Sequence, residues 1–206
     1  MSSLSKLVEE GEVYDIEEAV IEALKKSEPI KITEDLIKGL KLAGDRFKEG
    51  EYFVVEMMQA SETFKEGMKI IKPKLGDTKR ENMGKIVIGT VQGDIHDIGK
   101  NLVMIMFEGA GFEVIDLGID VHKDKFVESV KKHEPDIIGL SALLTTTMLE
   151  MEGVIQALIA NNLRERVKIM IGGAPVSERF AQSIGADSYA TNATEAVNVA
   201  LKLLGK

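Results

Sequence analysis

Residues 85–101 read KIVIGTVQGDIHDIGKN. The opening KIVIGTV is nearly continuous in apolar and β-branched residues, which predicts a strand buried on both faces. A polar, glycine-containing loop follows, and then a segment with helical periodicity. The same succession recurs along the chain. FEVIDLG (112–118), PDIIGLSAL (135–143) and VKIMIGGA (167–174) each precede an amphipathic helical segment, and ADSYA (186–190) precedes a final helix ending near Leu204.

Strands of this kind alternating with helices predict a parallel sheet covered on both sides and joined by right-handed crossovers. Five of them predict an α/β domain of flavodoxin-like, Rossmann-type architecture with strand order 2-1-3-4-5. In such a sheet ligands sit beyond the carboxyl ends of the strands, near the point where strand order reverses.

Upstream, residues 1 to about 75 show apolar residues at three-to-four spacing, such as Ile16, Val20, Ala23 and Leu24, then Leu36, Leu40, Ala43 and Phe47. Four helices are expected. Asp15 followed by Glu18 reads as a capping-box start, Pro29 and Thr33 as the break between the second and third helices, and Gly50 as the break before the fourth. Phe53, Met57, Ala60, Phe64 and Met68 line one face of that fourth helix. The charged stretch IKPKLGDTKRENMG (71–84) reads as a linker, so the expected domains are 1–84, a helical bundle with its linker, and 85–206, the α/β domain.

The composition narrows the chemistry. The chain has 206 residues, 44% hydrophobic and 29% charged, with a formal charge of -8 and no cysteine. Disulfides, thiolate metal sites and a nucleophilic thiol are thereby excluded. There are 18 acidic and 14 basic residues up to residue 84, and 16 and 12 after it. Neither half therefore carries a basic face suited to nucleic acid. The acidic N-terminus and the lack of any long apolar run predict a cytoplasmic protein without a membrane span.

The loop after the first strand holds Gly93, Asp94, Ile95, His96, Asp97 and Gly99. Asp94 and His96, two apart in an extended segment, can project the same way, so that Asp94 accepts the imidazole N–H and leaves the other ring nitrogen as a ligand. The competing reading is a solvated loop histidine. His122 at a helix start and His133 in a helix's last turn suit that plainer reading. The third strand ends in SALLTTTM, offering Ser141, Leu143, Thr145 and Thr147, and the fourth in Gly172, Gly173 and Ala174. Taken singly, these also read as a helix N-cap and a tight turn.

Together the three segments resemble the cobalamin-binding domain of methionine synthase and its corrinoid-protein relatives. That family's signature is D-x-H-x-x-G, about 41 residues, S-x-L, then 26 to 28 residues and G-G. Here Asp94, His96 and Gly99 are followed by 41 residues to Ser141-Ala142-Leu143 and by 28 more to Gly172-Gly173. The resemblance covers residues 85 to about 204, and the preceding helices look like the four-helix cap of methyl-transferring members.

The resemblance implies a cobalamin cofactor, a cobalt corrinoid carried as methylcobalamin. His96 would replace its lower axial base, with Asp94 and Thr147 completing a ligand triad. Ser141, Thr145, Gly99, Gly172, Gly173 and Ala174 would line the slot for the displaced nucleotide tail. Phe53, Met57 and Phe64 are candidates to cover the upper corrin face, or else plain bundle core. Near the C-terminus, where the family often has an Asp, this chain has Asn192, to which no role is assigned.

The function implied is a methyl carrier with no complete catalytic cycle of its own. Its partners would be a substrate-specific methyltransferase, a second methyltransferase acting on tetrahydrofolate or a thiol, and a reductive activase. Two rivals share the motif. The cobalamin subunit of an adenosylcobalamin-dependent mutase lacks the helical cap. A cobalamin-dependent light-sensing regulator uses a Trp and a cap His that are missing here, since the chain has no Trp and its first His is His96.

Overall fold

The computed structural model describes residues 3–74 and 83–206. The chain divides into two compact units, one helical and one built on the sheet.

Four helices form the first unit: α1 (Leu4–Glu10), α2 (Val13–Leu24), α3 (Pro29–Glu49) and α4 (Val54–Ile71). Ser3 caps α1 by accepting from the Lys6 amide, and Pro29 opens α3 at its first turn, where no N–H is needed. Each helix buries one stripe: Ile16 and Val20 on α2, Ile32, Leu36, Leu40 and Ala43 on α3, and Met57, Ala60 and Phe64 on α4. Gly39 of α3 allows close approach of α1, since a Cβ there would stand 2.3 Å from the Ser5 carbonyl oxygen.

Several boundary readings require correction. α2 begins at Val13, behind Glu12, so Asp15 lies within its first turn and caps nothing. Its carboxylate there still complements the helix dipole. Thr33 does not interrupt α3. Its hydroxyl donates to the Pro29 carbonyl at 2.9 Å, a bond made inside the helix. Phe53 precedes α4 and is 70% exposed, while Met57 and Phe64 are buried. Of the segment read as a linker, Ile71 still belongs to α4 and Lys72–Lys74 form a 3-10 turn, and residues 75–82 lie outside the described residues.

The second unit contains β1 (Lys85–Thr90), α5 (Ile98–Gly109), β2 (Glu113–Asp116), α6 (Lys123–His133), β3 (Ile137–Ser141), α7 (Glu150–Ala160), β4 (Lys168–Gly172), α8 (Glu178–Ile184), β5 (Ser188–Ala190) and α9 (Ala193–Leu203). The sheet order is β2-β1-β3-β4-β5 and every pairing is parallel. Strand order reverses between β1 and β3. The central strands β1, β3 and β4 are buried along nearly their whole length. Phe126 of α6 is fully buried, and Gly89 makes room for it, since a Cβ there would approach its ring to 2.9 Å. The pairing places Thr90, Ser141, Gly172 and Ala190 in one row across the sheet. The loops that follow this row emerge side by side at the carboxyl edge. Among the described residues, no helix is long and apolar enough to cross a membrane.

Gly39→Ala separates helix propensity from packing. The substitution favours an isolated helix by about 1 kcal/mol. The clash with Ser5 outweighs that gain, and a net loss of about 1–2 kcal/mol is expected in urea unfolding followed by helical circular dichroism.

Candidate functional site

Val91 extends beyond β1, its amide donating to the Ser141 carbonyl at 3.0 Å. Gly93 then turns the chain with φ +78, which carries Asp94 inward between β1 and the end of β3. Its side chain is fully buried. A buried carboxylate must find donors, and here both oxygens are supplied. Oδ1 accepts from the His96 amide at 3.0 Å and lies 2.8 Å from His96 Nδ1. Oδ2 accepts from the Leu143 amide at 2.7 Å and the Thr147 hydroxyl at 2.6 Å, with the Leu144 amide at 3.4 Å.

An ionised carboxylate only accepts, so Nδ1 of His96 carries the hydrogen and Nε2 holds the lone pair. The Thr90 hydroxyl donates to the His96 carbonyl at 3.1 Å, fixing the backbone as well. Burial taken alone pushes the Asp94 carboxyl up. The hydrogen bonds from Thr147, from the His96 and Leu143 amides and from the His96 ring outweigh it and hold the carboxyl well below the usual range.

The imidazole itself is exposed, its side chain 47% accessible. In its own loop and in the turn after β3, large apolar side chains are left open: Ile95 at 69%, Ile98 at 70%, Leu143 at 44% and Leu144 at 43%. Gly99 carries no side chain and has open space where a Cβ would project. An oriented nitrogen ligand among exposed aliphatic groups suits a large, flat, mostly apolar body carrying its own metal. Among the described residues, no group of three or more His, Cys, Asp or Glu side chains is set to hold a bare ion.

The remaining candidates fall into two groups. Ser141 closes β3 half-buried and Thr145 is exposed beyond it, and of the hydroxyls there Thr147 is the one that bonds Asp94. Gly172 ends β4, and Gly173 is required by packing, because a Cβ at its φ of +133 would sit 1.8 Å from the Ala142 carbonyl oxygen. Ala174 follows it exposed. Asp97 does not join the Asp94 cluster, and instead accepts from the Asn101 side chain at 3.0 Å. His122 caps α6 by accepting from the Asp124 amide, and His133 closes that helix. Asn192 caps α9 through the Glu195 amide at 2.8 Å.

Lys100 was not singled out from the sequence, yet it is 2% exposed and donates to Asp116 at 2.6 Å. Its partner ends β2, which begins with Glu113 and is exposed at both ends, so no local pattern in the sequence flags the pair.

A B12 binding domain model matches residues 84–198, and a second B12 binding domain model matches residues 2–72. A corrinoid protein of Desulfitobacterium hafniense is 47% identical over 83% of this chain and 81% of its own length. The chain belongs to the B12-binding corrinoid proteins. A dimethylamine corrinoid protein of Methanosarcina acetivorans is 45% identical over 90% of this chain and 87% of its own. Among solved structures, the methanol:cobalamin methyltransferase complex of Methanosarcina barkeri aligns with TM-score 0.88 at 29% identity, covering 99% of this chain and 79% of that one. The cofactor of this corrinoid protein is thus a cobalamin or related corrinoid, and the exposed imidazole with its aliphatic surround fits such a group.

Thr147→Val tests the carboxylate cluster without any cofactor. Removing a hydrogen bond to a buried charge is expected to lower stability at neutral pH by about 1.5–3 kcal/mol. Because the folded carboxyl of Asp94 is depressed, its contribution is present above the unfolded pKa of about 4 and is lost as pH falls through the folded value. The gap between wild type and variant should therefore narrow as pH drops below the ordinary carboxylate range, as read by urea titrations at stepped pH.

Proposed function

We propose that this protein is a methyl carrier which holds its corrinoid base-off with His96 as the lower axial ligand. In this reading residues 1–84 form the cap and 85–206 the cofactor domain. One observation carries it: an exposed imidazole is oriented by a fully buried carboxylate, and its own loop and the turn after β3 leave large aliphatic side chains exposed. The relatives support the carrier role, since one is named a dimethylamine corrinoid protein and an aligned structure is a methanol:cobalamin methyltransferase complex. The chain matches them over 90% and 99% of its length.

When bound, the corrinoid supplies cobalt that can accept a methyl group and give it up. His96 presents Nε2 as the ligand, and Asp94 holds the ring in the tautomer that makes this possible. Thr147 donates to Asp94 and helps to keep it ionised, so that the carboxylate would remain the acceptor for the His96 ring when the group is bound. Ile95, Ile98, Leu143 and Leu144 would lie against the ring and exclude water. Gly99, Ser141, Thr145, Gly172, Gly173 and Ala174 would line the slot for the nucleotide tail. The partners are a methyltransferase that delivers the methyl group from a small methylated compound, a second that passes it to tetrahydrofolate or a thiol, and a reductive activase.

The test is electron paramagnetic resonance of protein reconstituted with cobalamin and poised as Co(II). Splitting from a single axial nitrogen is expected, and growth on 15N-histidine should change its pattern. His96→Ala should lose the protein-derived splitting while keeping its fold. A labelled protein whose pattern does not respond to the isotope would overturn the assignment.

A further inference from the structure

The segment between β2 and α6, residues 117–121, is stitched to the end of β1 and to the histidine loop. Leu117 donates to the Ile88 carbonyl at 2.8 Å, Thr90 to Gly118 at 3.0 Å and Val121 to Thr90 at 3.0 Å. Between these bonds the backbone bulges at Ile119 and Asp120. The Asp120 amide donates to the Asp94 carbonyl at 2.9 Å, and its carboxylate accepts from the Gly93 amide at 2.7 Å. Asp120 thus grips the two residues at which the chain turns Asp94 inward.

The far end of the histidine loop is tied to the same segment. Lys100, in the first turn of α5, reaches Asp116 at 2.6 Å, and Asp116 also accepts from Gly118 N–H at 2.9 Å. The lysine's side chain is 1% exposed, so Asp116 is the partner that makes its burial tolerable. Its other contacts, Asn101 Oδ1 at 3.1 Å and Met104 Sδ at 3.5 Å, lie on its own helix.

The backbone of Asp120 adds an independent observation. Among the described residues, three other than glycine have positive φ: Asp120 at 51, Glu134 at 46 and Asn162 at 57. Glu134 and Asn162 follow the ends of α6 and α7, where left-handed residues commonly stop a helix. Asp120 ends no helix, and the conformation is what directs its amide at Asp94 while its side chain reaches Gly93. A left-handed residue held by its surroundings beside a site points to a positioning task.

We infer that Asp120 and Lys100 are positioning residues for His96: the 116–121 segment splints both ends of the Asp94–His96 loop and so sets the imidazole's tautomer and direction. Neither residue is placed among the ligand or cofactor contacts. The inference rests on the reading of His96 as the axial ligand, but its first readout needs no cofactor.

The test uses the full chain without corrinoid, 15N-histidine labelled, with the His96 ring assigned by comparison with His96→Ala and its tautomer read by NMR. In Asp120→Gly, a residue that suits positive φ, the ratio of the Nδ1–H form to the other tautomer should fall about 5-fold, the equivalent of one net hydrogen bond. Asp120→Asn keeps the acceptor and should hold the wild-type ratio. Lys100→Met, which releases the other end, should shift the ratio in the same direction. A wild-type ratio in folded Asp120→Gly, or an Asn variant as disturbed as the Gly variant, would overturn the inference. So would loss of the fold in Asp120→Gly while Asp120→Asn stays native, since that would make Asp120 a general strut. In cobalamin-loaded Co(II) protein, the Asp120→Gly variant should show a reduced share of histidine-nitrogen splitting. Absence of that splitting in the wild type would fail the axial-ligand reading and leave the tautomer result standing.

Discussion

Asp94 places a full negative charge where no water reaches it, and such a charge is tolerated only where protein donors replace its hydration. Three amides, a hydroxyl and an imidazole do so, drawn from the segments that follow two adjacent strands. The loop after β1 and the turn after β3 therefore cannot move independently. Any shift of Thr147 or Leu143 is felt at Asp94, and through Asp94 at His96. This coupling explains how a histidine in an exposed loop comes to have one defined tautomer.

The fold brings those donors together through a simple feature of the sheet. β1 and β3 are neighbours in space but not in sequence, and Thr90 pairs with Ser141 in register. Both chains leave the sheet at the same level and on the same side, so an acid four residues after Thr90 meets an amide two residues after Ser141. β4 completes the row with Gly172, and Gly173 lets its chain cross within contact of Ala142. A side chain at Gly173 would collide with the Ala142 carbonyl, one residue before the Leu143 amide that Asp94 uses. The glycines thus serve the backbone that frames the site as well as leaving space above it.

Much of this was legible in the residues. Apolar runs separated by helical segments determine a parallel sheet because buried strands cannot alternate with polar positions. The order β2-β1-β3-β4-β5 then follows from short right-handed crossovers. Motif spacing brought Asp94, His96, Ser141, Leu143 and Gly172 to one edge. Local signals failed where one residue type serves two settings. Thr33 reads with Pro29 as a break between helices, yet a threonine can bond back to the carbonyl four residues earlier inside a helix, as it does with Pro29. Period alone put Phe53, Met57 and Phe64 on one stripe, but it cannot tell that Phe53 falls before the helix begins. Lys100, Asp116 and Asp120 were missed because their partners are set by β2 lying beside β1. The pairing between residues sixteen apart has no periodic signature.

The two kinds of surface at the carboxyl edge have opposite thermodynamic roles. All the polar work around Asp94 is completed by the protein itself, so the carboxylate, threonine and imidazole are in place before any ligand arrives. Ile95, Ile98, Leu143 and Leu144 are the reverse, apolar groups left in water that folding alone does not reward. A corrinoid covering them would gain their burial, while the orientation of the nitrogen ligand would already have been met in folding. A ligand that binds only the folded protein would add to its stability, and coordination through Nε2 would favour the same Nδ1–H tautomer that Asp94 already supports.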